Sequence, residues 1–395
     1  MPTYHVGLVE PLPLPLADEL AKRVFYLASD IDSFLLVRDG QQVAGIEITT
    51  MREIDQAALA RKIEYVCQTE ILPQRLPTVE PVWRSPHRPS GTAGVFEELK
   101  ALGAVHEMGP GAIATGQQFT DVLDALDAGL LRIATDHFGA LPYRYPTLIS
   151  TEALRQGGYL ESFPQFAMFA SRLCVDLDVY RRFVEEIGGS ADAESLIDRD
   201  SAHSGYCLPP TMCFHTYLQL RGQSLPTSPT VVTSRGKSFR FESRYSQSLE
   251  RLWDFTIREI VFLGDAETVA QQRQDFLDAT CRYVEELGLA GHVEPANDPF
   301  FGDRMVPRRL LAQRLRRLKY ELRMPAEDGR DMSVASFNVH GSAFGDAYAI
   351  TLPNGEATYT SCVGFGLERL TFALFCQHGA LREQWPDRVR EKLGI

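Results

Sequence analysis

The order of its elements is what most constrains this chain. From about residue 118 to the C-terminus, strand-like segments rich in Tyr, Phe and Val crowd the helical stretches between them. A doubly wound parallel sheet needs a helix after nearly every strand, so this pattern predicts an α+β fold, an antiparallel sheet flanked by helices. The glycine signatures of other nucleotide folds do not compete with that reading. The sequence holds no GxxxxGK[ST], and no GxGxxG that leads into a helix and an acidic residue.

Residues 1–118 read as a separate, smaller α+β domain, and 119–395 as the main one. Phe34–Val37 and Val43–Ile48 are two strands around a turn at Arg38-Asp39-Gly40. Between Ile54 and Cys67, Ala58, Ile63 and Val66 follow a helical period and predict a helix packed on that sheet. The stretch 76–91, with Pro77, Pro81, Pro86 and Pro89, reads as a linker. A helix is predicted over Phe119–Leu131, with Val122, Leu123, Leu126 and Leu130 on one face.

The net charge of −12, from 52 acidic and 40 basic residues in 395, argues against a protein built mainly to grip nucleic-acid backbone. Seven scattered cysteines without a CxxC do not make a disulfide framework, and point to a reducing cytoplasm. No apolar run is long enough for a membrane-spanning helix, and the N-terminus lacks a basic region followed by an apolar one, so neither membrane nor export is expected.

Three segments carry the chemistry. In Ser238-Phe239-Arg240-Phe241-Glu242, apolar and charged residues alternate, and the segment runs on through Glu250, Arg251, Phe255, Arg258 and Glu259. An arginine on a rigid strand can fork onto a phosphate while a nearby aromatic stacks on a base. Read alone, the segment suits a salt-bridged amphipathic hairpin better. In Tyr359–Phe375, a strand meets Gly364 and Gly366 and turns into a helix with Leu367, Leu370, Leu374 and Phe375 at helical spacing and Arg369 on another face. In Asp136–Ile149, a helix ends near Gly139 and an extended segment begins at Pro146.

In order and spacing these segments resemble the three motifs of class II aminoacyl-tRNA synthetases. The resemblance implies that Arg240 contacts the α-phosphate of ATP, that Phe255 stacks on adenine with Glu242 near it, and that Arg369 holds the γ-phosphate. Glu250, Arg251 and Ser336 would join the ATP site, with Glu321 as a ligand of Mg²⁺. Lys319-Tyr320-Glu321-Leu322 and Val334–Gly341 resemble the seryl branch, and most of all its zinc-dependent methanogen type and the truncated amino acid:[carrier protein] ligases. Tyr159-Leu160-Glu161-Ser162-Phe163-Pro164 also resembles the carrier-protein ligases. Cys213, after Pro209-Pro210-Thr211-Met212, stands where the zinc type has a metal ligand.

Cys213, Glu259 and Cys362 each lie in or beside a segment expected to line one site. Two thiolates and a carboxylate leave the fourth position of a tetrahedral zinc open, as in a catalytic or substrate-binding centre. The resemblance implies that the amino group of a small amino acid fills it, with Lys319 and Asn338 also contacting that substrate. Cys67, Cys174, Cys207, Cys281 and Cys376 are expected simply to be buried.

The activity implied is adenylation of a small amino acid with ATP and Mg²⁺, then transfer to an acceptor. An acidic N-terminal domain without a long helical hairpin disfavours tRNA. The basic run Arg304, Arg308, Arg309, Arg314, Arg316, Arg317 and Lys319 is either a solvated helix face or a docking patch for an acidic carrier protein, whose phosphopantetheine thiol would take the amino acid. An atypical zinc-dependent seryl-tRNA synthetase and a non-catalytic, synthetase-like binding protein are the alternatives. The resemblance also implies a homodimer formed around His137–Ile149.

Overall fold

Alternation of apolar and polar side chains along each strand sorts this chain into faces, and the faces decide what packs on what. The computed structural model describes residues 1–74, 80–88, 93–242, 248–298, 300, 306, 309–310, 313, 316–327 and 331–395. At the N-terminus, β1 (Thr3–Pro13), β2 (Ile31–Asp39) and β3 (Gln42–Thr50) form an antiparallel sheet in the order β1-β3-β2. Helices Ala17–Val24 and Gln56–Val66 cover one face of it, burying Leu20, Val24, Leu59 and Ile63 against Leu12, Ile46 and Ile48. Asp55 starts the second helix by accepting from the N–H groups of Ala57 and Ala58 at 2.8 and 3.0 Å. Gly40, at φ +55°, supplies the left-handed residue of the β2–β3 turn.

The remaining strands are β4 (Trp83–Arg84), β5 (Val105–Gly109), β6 (Ala112–Thr115), β7 (Leu141–Tyr143), β8 (Ile149–Ser150), β9 (Met168–Leu173) and β10 (Ser201–Leu208). They continue with β11 (Thr230–Phe239), β12 (Asp254–Gly264), β13 (His292–Pro295), β14 (Lys319–Pro325), β15 (Asp331–Gly341) and β16 (Tyr359–Gly366). Eight of them make the central sheet, β4-β13-β14-β15-β16-β12-β11-β7, antiparallel except where the edge strand β7 runs parallel to β11. Helices Gln117–Arg132, Ala266–Glu286 and Leu367–His378 cover one face of this sheet. Phe119, Phe262, Phe276, Phe337, Phe365, Phe372 and Phe375 are all buried in that layer. The opposite face carries Glu259, Val261 and Leu263 of β12 and Cys362 and Gly364 of β16, and this is where the polar site forms.

The expected antiparallel sheet with flanking helices is therefore the observed one. Two separate cores draw on the first 118 residues. The small N-terminal core ends at Ile71, whereas Val95, Phe96, Leu99, Ala104 and Val105 enter the main core. Trp83 and Arg84 pair with β13, inside the stretch read as a linker. Backbone pairing with a distant strand leaves no periodic signal in so short a segment.

On the helix-covered side, Arg258 of β12 and Asp127 of helix Gln117–Arg132 form a bidentate pair, 2.7 Å on each arm, with both side chains buried. Arg258 thus ties the sheet to the helix and does not belong with the polar face. Removing one partner strands the other charge in the interior. Asp127→Ala should cost about 3–5 kcal/mol in urea unfolding. A loss of under ~1 kcal/mol would mean that the pair is no stronger than an exposed one.

Candidate functional site

Cys213 begins a short helix (Cys213–Gln219), directly after the turn formed by Pro209, Pro210 and Thr211. Glu259 points up from the middle of β12, and Cys362 from its neighbour β16. The three are 5%, 3% and 4% exposed, and their ligand atoms lie within 4.8 Å of one another. Thr211 donates its hydroxyl to one oxygen of Glu259, and the N–H of Cys213 donates to the other. Sequence spacing had no means of joining these residues, and the sheet register does it.

Burial and the charge of Cys362 push the carboxyl of Glu259 up to about 7. The Cys213 thiol donates to the Cys362 sulfur, which holds Cys213 well above the usual thiol range and Cys362 well below it, against the effect of burial. Three acidic groups packed this closely cannot all ionise without a cation. Two sulfurs and one carboxylate, dry and convergent, fit zinc in donor type and number, with a tetrahedral position left over.

Two residues of β15 support the centre: Asn338, which the resemblance marks as a substrate contact, and His340, to which it assigns no role. His340 lies with Nε2 3.6 Å from the Cys362 sulfur and Nδ1 3.2 Å from the Thr360 hydroxyl. Asn338 donates to Cys362 at 3.5 Å and to the Ser336 hydroxyl at 3.2 Å. Ser336, Asn338 and His340 alternate along β15, so the period-two spacing in the sequence was the available signal for His340. Thr211, two residues before Cys213, had no such signal.

Arg240 follows the end of β11. Its Nε donates to the carbonyl of Pro210 at 3.1 Å, and its guanidinium lies 5.4 Å from the centre of the Phe255 ring. The loop that carries Cys213 is thus bonded directly to this arginine. The strand ends at Phe239, so the continued alternation expected through Glu242 does not hold as an amphipathic hairpin. Glu242 turns inward, 7% exposed, and accepts from Arg251 at 2.8 Å, while Phe241 is 42% exposed against Trp253. Residues 243–247 lie outside the described residues. Arg369 donates to the Ser333 carbonyl at 3.3 Å. Burial, with Arg251 and Arg240 nearby, lowers its pKa to about 10, so it remains a cation at neutral pH.

Lys319, read as part of a basic surface run, is instead buried between Asp298 at 2.8 Å and Glu321 at 3.2 Å. Burial works to lower its pKa, but the two carboxylates outweigh it and the net shift is upward. At Glu321 burial acts upward and is outweighed by Lys319 and Arg323, so that carboxyl is held down. Arg309 packs on the Phe300 ring, and Arg304, Arg308 and Arg314 lie outside the described residues. Glu250 follows the core residue Leu249, and its charge is felt by Cys376 in the helix-covered layer. Of the sequence-assigned residues, Cys213, Glu259, Asn338, Ser336 and Cys362 meet at one end of the polar face. Arg240, Phe255, Glu242, Arg251 and Arg369 gather at the strand ends beside it, with Glu321 and Lys319 across β15.

No family model matches the chain. Amino acid–[acyl-carrier-protein] ligase 1 of Bradyrhizobium diazoefficiens is 30% identical over 318 residues, 78% of this chain and 94% of that protein. Ligase 2 of the same organism is 30% identical over 298 residues, 73% of this chain and 85% of the relative. The chain belongs to the amino acid–[acyl-carrier-protein] ligase family. The type-2 serine–tRNA ligase of Methanopyrus kandleri is a further relative, 27% identical over 76% of this chain, which spans 60% of its length. In fold, the chain matches the M. kandleri SerRS solved in complex with A. aeolicus tRNASec, with a TM-score of 0.71 at 24% identity over 99% of this chain and 77% of that one. The family is therefore that of the class II synthetase-like ligases, as the three motifs implied.

Metal analysis checks the Cys-Glu-Cys centre. The purified protein should hold about one zinc per chain, and Cys213→Ala and Cys362→Ala should each reduce it to near zero. Zinc affinity should rise between pH 6 and 8, because the carboxyl of Glu259 and the thiol of Cys213 must lose protons to bind. Full zinc content in both variants, or affinity independent of pH, would contradict the assignment.

Proposed function

We propose that this ligase activates a small amino acid as its aminoacyl-adenylate and transfers it to the phosphopantetheine thiol of an acyl carrier protein. One observation carries the reading. A buried pair of thiols and a carboxylate suited to an amine-binding zinc lies directly beside two arginines and an aromatic ring suited to ATP, joined to them by the Arg240–Pro210 hydrogen bond. The printed activity of the two Bradyrhizobium relatives supports it.

Cys213, Glu259 and Cys362 would hold zinc, which offers a Lewis-acid position for the neutral amino group of the substrate. Asn338 and Lys319 line the same face beside that position. Phe255 is the platform for the adenine ring, with Glu242, fixed by Arg251, at the edge of that pocket. The substrate carboxylate attacks the α-phosphorus of ATP, the bond to the β-phosphate oxygen breaks, and pyrophosphate leaves. Charge develops on the phosphate oxygens, so fixed cations aimed at them stabilise the transition state most. Arg240 takes the α-phosphate and Arg369 the γ-phosphate, each pre-positioned by a backbone carbonyl. Glu321, held ionised by Lys319 and Arg323, would hold Mg²⁺. In the second step the carrier thiol, losing its proton, attacks the acyl carbon, a thioester forms and AMP departs.

The overall charge of −12 favours a thiol acceptor over tRNA, and seven unpaired cysteines suit a reducing cytoplasm. No described helix is long and apolar enough to cross a membrane. The edge strand β7, with Leu141, Tyr143 and Leu148 exposed around it, is the surface through which we place a homodimer. A second reading, seryl-tRNA synthesis, is favoured by one observation: the seryl synthetase fold extends over 99% of the chain, the N-terminal unit included.

Amino-acid-dependent exchange of pyrophosphate into ATP, run over a panel of amino acids, tests the first step. Exchange with glycine, alanine or serine is expected, and none with any amino acid would leave a binding protein. Loading should then occur on a holo carrier protein and not on tRNA. Comparable charging of tRNA would favour the second reading. Arg369→Ala should reduce exchange by at least about 100-fold, as expected for a lost charge-stabilising group.

A further inference from the structure

Three of the side chains assigned to ATP sit on separate elements: Arg240 beyond β11, Phe255 at the start of β12, and Arg369 in the first turn of the helix after β16. Nothing in those assignments explains what keeps the three in register. The ladder between β12 and β16 ends at the pair Ile257 and Gly366, because the chain after Gly366 turns into the helix Leu367–His378. The next N–H on β12, that of Thr256, is therefore left at the very point where the adenine platform begins. It is buried, and an unmet N–H there would be costly.

Glu368 meets it. Its two carboxylate oxygens each lie 2.8 Å from the Thr256 nitrogen, and the residue is 6% exposed. Lys237 of β11, which stands opposite Thr256 in the ladder, lies 3.9 Å from the same carboxylate and bonds Asp254 at 3.0 Å. One side chain therefore replaces the missing strand and joins β11, β12 and helix Leu367–His378. It does so one residue from Phe255 on one side and one residue from Arg369 on the other. Arg240 follows through its contact with the Phe255 ring.

We infer that Glu368 is a positioning residue for the ATP site: by capping the Thr256 N–H it sets the spacing between the adenine platform and the arginine of helix Leu367–His378. Its carboxylate is taken up by the Thr256 N–H and Lys237. The inference rests on the adenylation reading above, and it separates from it experimentally. The amino-acid centre lies farther along β12 and β16, so the effect of Glu368 should be confined to ATP.

The test is steady-state pyrophosphate exchange on the full chain, with KM measured separately for ATP and the amino acid. Glu368→Ala should raise the ATP KM about tenfold, equivalent to ~1.4 kcal/mol, with the amino-acid KM and the zinc content unchanged. Glu368→Gln keeps an acceptor oxygen at the same reach and should stay within about threefold of the natural protein. Glu368→Asp keeps the charge but is one methylene too short, and should behave like the alanine variant; it carries the test if Glu368→Ala does not fold. An unchanged ATP KM in Glu368→Asp, equal rises in both KM values, or a glutamine variant as impaired as the alanine one would overturn the inference. Absence of exchange in the natural protein would instead overturn the adenylation reading itself.

Discussion

The two strands at the heart of the sheet, β12 and β16, bury both of their faces, and the two faces are made of different chemistry. β12 shows the constraint most clearly. Ile260 and Phe262 go under the helices, while Glu259, Val261 and Leu263 face the other way. A one-residue slip would place Glu259 among the phenylalanines and Phe262 beside the cysteines, so the register is held by the full cost of burying a carboxylate in an apolar layer. The site depends on that register, because it is the pairing of β12 with β16 and of β16 with β15 that brings Glu259, Cys362 and Asn338 together.

The polar face is electrostatically divided along its length. Around Cys213 and Cys362 the buried groups are acidic and compete for charge, which is the condition a bound cation relieves. A few residues away, Arg240, Arg251 and Arg369 cluster with Glu242 as their close buried counter-charge, which is the condition a polyphosphate relieves. Across β15, Lys319 is neutralised by Asp298 and Glu321. A metal-bound amine at one end and phosphate at the other would place a carboxylate between them, and this division supports an adenylating reading independently of any single motif.

Much of the site was legible because a few of its parts are local. Arg240, Glu242 and Phe255 lie close together in sequence, and Arg369 is announced by the glycines of β16. The central sheet was legible from the excess of strand-like segments, and the helix Gln117–Arg132 from its apolar face. The rest was not. His340 became visible only as a neighbour of Cys362, and Thr211 only as a partner of Glu259. Lys319 looked like part of a basic surface because its neighbours in sequence are arginines, whereas its neighbours in space are two carboxylates. The pairing of Trp83–Arg84 with the main sheet left no mark on the sequence, because it is made by backbone hydrogen bonds, which are indifferent to side-chain pattern.

By itself, the sequence determined which residues could do chemistry and which sides of the elements would be buried, because side-chain type and spacing are properties of the chain alone. Only the tertiary structure decided which of them meet. Cys213, Glu259 and Cys362 become one centre through strand pairing over long separations, and Glu368 becomes the partner of Thr256 because a strand ends one residue too soon. Such contacts depend on register between distant segments, and register is fixed by the packing of the whole sheet.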